Sequence, residues 1–128
     1  MLYERETGGT VSEIVERVKE AAAAHQFGVL GTIDLRAKMA EKGVDFDSDC
    51  VVVEVCNPRQ AKHVLEENLA LATVLPCRIA VYEFQDEIVV ATIQPTSLVE
   101  LFGAGDALTG LAAEVEDALA AIIDEACE

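Results

Sequence analysis

Two cysteines, each beside a proline, are the residues of this 128-residue chain best placed to do chemistry: Cys56 in "EVCNPRQ" and Cys77 in "VLPCR". In "CNPRQ" the residue types spell a helix start, with Asn57 as N-cap, Pro58 as the first helical residue and Gln60 as the reciprocal partner. Cys56 then stands one residue before the cap. There it lies near unpaired N–H groups and the positive end of the helix dipole, a setting that lowers a thiol pKa and favours thiolate. Arg59 adds positive charge. Cys77 follows Pro76, which pushes Leu75 into an extended conformation at the start of a strand. Whether the thiols meet depends on topology. A parallel crossover leaves them at opposite ends of a sheet, whereas residues 69–76, extended over about 26 Å, could bring Cys77 back beside Cys56.

Paired thiolates would suit thiol redox work or a soft metal such as copper(I) or zinc, with Glu54, on the same strand face as Cys56, as an oxygen ligand. The spacing is neither a CxxC redox motif nor a usual zinc-ligand pair. The competing reading makes both cysteines packed small hydrophobes and "CNPRQ" no more than helix-start grammar. The helix that follows turns Ala61, Val64 and Leu65 inward and Arg59, Lys62, His63, Glu66 and Glu67 outward, which leaves His63 poorly placed as a base for Cys56. Ser12, Ser48 and Ser97 have no visible base partner, so no enzyme is expected and no cofactor is required.

The elements that must position these residues can be read from periodicity. Residues 1–7 form a first strand, and Thr10 with Glu13 has capping-box spacing before a helix that carries Val11, Ile14, Val15, Val18 and Ala22 on one face. His25, at the end of that stripe, reads as a satisfied, half-buried side chain. "FGVLGTIDL" is a second strand, and Leu35 to Lys42 a short helix closed by Gly43. In the third strand, "CVVVEVC", alternation puts Val51, Val53 and Val55 on one face and Cys50, Val52, Glu54 and Cys56 on the other. "RIAVYEF" and "EIVVATI" form a hairpin around Gln85-Asp86. Both strands are apolar on both faces, so helices on one side leave the other side to be covered, most simply by a second copy of the chain. Ser97 and Glu100 suggest a capping box for a one-turn helix, "GAGDALTG" a connection that lacks the features of a phosphate loop, and Asp106 the cap of a last helix. That helix carries Leu108, Leu111, Ala112, Val115, Leu119, Ile122 and Ile123 on a core face, and Cys127 is an incidental thiol in its fraying end.

Length and composition bound the rest. The chain, residues 1–128, fits a single domain. Twenty-four acidic against nine basic residues give a formal charge of −15, which repels phosphate backbones and anionic membranes; neither nucleic acid nor membrane is an expected partner. Runs such as "LALATVL" fall far short of the roughly 20 residues that span a bilayer. The start "MLYERETGG" lacks the apolar core of an export signal, and the four cysteines suit free thiols in a reducing compartment. The cytoplasm is the expected location. A salt-rich host would produce the same acid excess.

In order along the chain, "FGVLGTIDL", "GVDF", "CNPRQAKHVLE", "LPCRIAVYE" and the Ile93-Gln94-Pro95 turn resemble the domain of unknown function family 302, over roughly residues 8–125. The resemblance implies an α+β fold: a two-layer sandwich of the TBP-like type, with a curved, mostly antiparallel sheet, helices on one face, and dimeric members. It implies no established activity. The family's C-N-P and P-C positions fall on Cys56, Asn57, Pro58, Pro76 and Cys77, and its Ile-Asp-Leu on Ile33, Asp34 and Leu35. These make Cys56, Asn57, Pro58, Pro76, Cys77 and Asp34 the candidate ligand-binding residues. The expected function is a homodimeric, non-enzymatic module that binds a small molecule or a partner. The alternative is a thiol-redox or copper- or zinc-binding protein using Cys56 and Cys77.

Overall fold

The computed structural model describes residues 1–103 and 105–128. Five strands and five helices follow one another in the order β1 (Leu2–Thr7), α1 (Val11–Ala24), β2 (Gly28–Asp34), α2 (Leu35–Glu41), β3 (Cys50–Cys56), α3 (Pro58–Glu67), β4 (Cys77–Phe84), β5 (Glu87–Ile93), α4 (Pro95–Val99) and α5 (Asp106–Ala126) among the described residues. Short 3-10 segments cover Leu69–Val74 and Glu100–Phe102. The strands pair antiparallel throughout, in the order β1-β5-β4-β3-β2. The result is the expected α+β sandwich: α1 and α5 pack against each other and together cover one face of the sheet.

Alternation in β3 sets that packing. Val51, Val53 and Val55 are buried while the residues between them are half-buried, and the valines meet Val18, Ile79, Val81, Leu119 and Ile122 in the main core. Each such side chain contributes about 1.5–3 kcal/mol on full burial. A one-residue slip would expose all three valines and drive Glu54 inward, so the register has little freedom. The edge strand β2 carries a bulge between Val29 and Gly31; the extra residue, Leu30, is exposed, and such a kink blunts an edge against further strand pairing.

Helix starts follow the local grammar in three places. Thr10 accepts from the Glu13 N–H at 3.2 Å, Asp34 from Ala37 at 3.0 Å, and Asn57 from both Arg59 and Gln60 at 3.1 Å. Two expected caps are not formed. Ser97 lies inside α4, which begins at Pro95, because proline is already shaped for the first helical position. Asp106 is the first residue of α5, after Gly105, so the stretch read as a connection over 103–110 is already helical from Asp106; Ala104, within it, lies outside the described residues. Residues 69–76 are not one extended run either: Asn68 caps the 3-10 segment Leu69–Val74, which buries Leu71. Among the described residues no helix is long and apolar enough to cross a membrane.

Candidate functional site

Antiparallel pairing of β3 with β4 puts Val55 opposite Cys77, which makes Cys56 and Cys77 diagonal neighbours. The sequence left this choice open, and the structure takes the returning path. Cys77 shares the helix-covered face with Val55 and packs against the main core. Simple alternation would send Cys56 to the opposite face, the wrong direction for a disulfide without backbone movement; both residues nevertheless line one small cavity. All four cysteines are free thiols.

Burial governs the chemistry of both thiols. It pushes the Cys77 thiol up to about 11, with the neighbouring Cys56 adding to the effect. Burial also raises Cys56, the reverse of the direction expected from its place before a helix start. Partial removal from water disfavours the thiolate. At neutral pH both groups are therefore held as thiols.

The other candidate residues divide. Asn57 and Pro58 start α3 beside the thiols, and Pro76 precedes Cys77 at the opening of β4. Asp34 does not join them. Gly28, at the start of β2, pairs with Cys56, whereas Asp34, at the other end of the strand, pairs with Val51 and caps α2. Glu54 also turns away: it pairs with Arg78 across β3 and β4, 3.5 Å from its Nε, on the face opposite Cys77. Cys56, Cys77 and Glu54 thus do not converge as a ligand set, and no three His, Cys, Asp or Glu side chains among the described residues are grouped to hold a metal ion. His63 is exposed near Glu66, and His25 bonds Glu125 at 2.7 Å, as the reading of a satisfied histidine required.

Cys77 lines an apolar cavity of about 110 Å³, walled also by Val64, Leu71, Val74, Leu75, Pro76, Leu98, Val99, Ala112 and Val115, with Arg78 and Pro95 at its lining. A second cavity of about 30 Å³ adjoins it through Val64, Leu75, Cys77 and Val115 and reaches Cys56, Asn57 and Gln60. The space exists because α3, α4 and the first half of α5 build a small core of their own, around Val64, Leu71, Val99, Leu108 and Ala112, beside the main one. Gln60 was expected to reach back to its cap, yet its side-chain Oε1 is buried with no hydrogen-bond partner among the described residues. An orphaned acceptor of this kind costs about 1–3 kcal/mol. The cavity and its lone acceptor escaped sequence reasoning, because its far wall comes from Leu98, Val99, Ala112 and Val115, remote in the chain from Cys77.

The sheet face away from α1 and α5 is the other notable surface. Pairing puts Val52, Ala80 and Ala91 in one row and Cys50, Tyr82 and Val89 in the next. Leu2 and Ile93, which also pair, are exposed beside them, as is Phe84.

Comparison with known proteins follows the geometry closely. The family model described as "Domain of unknown function DUF302" matches residues 3–126. A solved structure, described as that of an uncharacterized conserved protein DUF302 from Bacillus stearothermophilus, shares 36% identity with a TM-score of 0.92, covering 99% of this chain and 98% of its own. No curated protein matches.

Proposed function

The chain belongs to the DUF302 family, and from that premise we propose that it is a non-enzymatic binding module that works as a homodimer, two copies meeting through the sheet faces that α1 and α5 leave uncovered. The observation that carries the reading is the apolar stretch of half-buried Val52, Ala80 and Tyr82 beside the buried Val89 and Ala91, which ends at Glu6 and Glu4 on β1. Contiguous apolar surface of this kind marks an interaction site, and a face shared by identical copies is self-complementary by symmetry. Exposed Leu2, Phe84 and Ile93 extend it outward. Thiols held protonated by burial support binding over covalent chemistry at Cys56 and Cys77.

Val52→Lys tests this. Val52 is half-buried at the middle of the face, so a lysine there can reach water in a monomer but would be trapped in the dimer. The expected result in sedimentation velocity is a wild-type dimer and a monomeric variant with unchanged far-UV circular dichroism. A wild-type monomer at tens of micromolar, or a variant that still dimerises with wild-type affinity, would overturn the proposal.

A further inference from the structure

The adjoining cavities beneath α3 have three properties that together describe an occupant. The larger is apolar and, at about 110 Å³, is of the order of the cavity near 150 Å³ that holds benzene when lined by aliphatic side chains. The smaller has Gln60 in its wall, whose Oε1 is buried and unpartnered. Among the described residues Arg78 is the basic residue at the lining, and its guanidinium is exposed and already 3.5 Å from Glu54, which disfavours an anionic head group. The formal charge of −15 acts in the same direction.

We propose that these cavities bind a small neutral alcohol, with an aromatic ring or branched alkyl group of about benzene size in the larger cavity and its hydroxyl donating to Gln60 Oε1 in the smaller. The site deepens the binding half of the preceding reading and rests on it, but not on the dimer. Val64, Leu75, Cys77 and Val115 form the common wall of the two cavities, so a single molecule can lie across both. The hydroxyl satisfies the acceptor that α3 leaves without a partner, and the ring takes the apolar space. Cys77 contributes a neutral S–H to the wall, since burial keeps it protonated. An anion would have to compete with Glu54 for Arg78, and an alkane of the same shape leaves Gln60 unsatisfied.

The test uses the full chain titrated with benzyl alcohol and with toluene, read by amide chemical shifts, with the subunit count followed by native mass spectrometry in the same samples. The expected result is saturable shifts around Val64, Leu75, Ala112 and Val115, with benzyl alcohol bound roughly fivefold more tightly than toluene, the preference one neutral hydrogen bond supplies. Gln60→Met should remove that preference and leave toluene binding unchanged, and Val74→Phe, which fills the larger cavity from its partly buried side, should weaken both. Should Val74→Phe fail to fold, the Gln60→Met comparison decides alone. Absence of saturation with either compound at millimolar concentration, shifts confined to another part of the molecule, or a preference that survives in Gln60→Met would each overturn the proposal. Because the subunit count is read separately, a dimer without ligand binding refutes this site alone, and a monomer that binds benzyl alcohol refutes the dimer alone.

Discussion

Cys77→Val should flatten the alkaline side of the stability curve. In the fold the Cys77 thiol ionises at about 11, against 9.0 for an exposed cysteine, chiefly because burial disfavours the thiolate. The neutral thiol is the form the fold tolerates, so the stability it carries is complete below pH 9.0. It is lost as pH rises toward 11, where the unfolded chain releases a proton that the folded chain retains. Each pH unit in that window costs about 1.4 kcal/mol, or about 2–3 kcal/mol across it. Valine keeps an apolar group of similar size in the wall and removes the titration. The assay is urea unfolding of both proteins, in reductant, at neutral pH and at several values above pH 9.0; the other ionising groups are common to the two chains and drop out of the comparison. Wild type should lose the additional stability and the variant should not. Parallel profiles would refute the argument, because they would mean that Cys77 meets the same environment folded and unfolded.

The hairpin between β4 and β5 turns through Gln85 and Asp86 with φ of 51 and 66, the left-handed values that a two-residue turn of the I′ type requires. Gln85→Asn with Asp86→Gly should therefore raise stability by about 1–2 kcal/mol, seen as a higher urea midpoint at an unchanged m-value; a lower midpoint would show that the native side chains make compensating contacts. Affinity of the proposed dimer should increase with added salt, because each copy carries a formal charge of −15 and screening reduces their repulsion. Sedimentation equilibrium at low and high ionic strength measures this, and a dimer that weakens with salt would mean ion pairs, and not the apolar sheet face, hold it together.

The parts of the fold legible in the sequence are those in which a local pattern and a tertiary demand agree. The valines of β3 alternate because one side of the sheet meets α1 and α5, and that pattern survives intact. Asn57 and Pro58 start α3 because the cap and the first helical position each suit those residue types. Local signals misled where two competed. Ser97 and Glu100 have capping-box spacing, but Pro95 begins the helix sooner. "LALATV" carries no breaker, and the need to bury Leu71 against α3 and α4 coils it. The Cys56 thiol was misjudged in direction. A helix start acts on a thiol through the chain neighbours visible in the sequence, whereas desolvation comes from Val64, Leu75 and Val115, whose approach depends on the whole fold.

Gln60 gives the most informative of these disagreements. Three residues of "CNPRQ" do what their type and position require: Asn57 caps, Pro58 opens the helix, and Arg59 stays exposed. Gln60 departs, burying a carbonyl that has no partner among the described residues in the wall of a cavity. A natural sequence tends to be consistent across levels, and its violations gather where function outweighs stability. The helix could have spared the cost either by returning the amide to its cap or by filling the space with a larger apolar side chain from α5, where Ala112 stands in the wall. The first remedy needs only a side-chain rotation and the second a single substitution, and they would respectively silence the acceptor and close the cavity. The unfilled volume and the orphaned oxygen are thus better explained together, as two ends of one binding site, than as two separate packing faults.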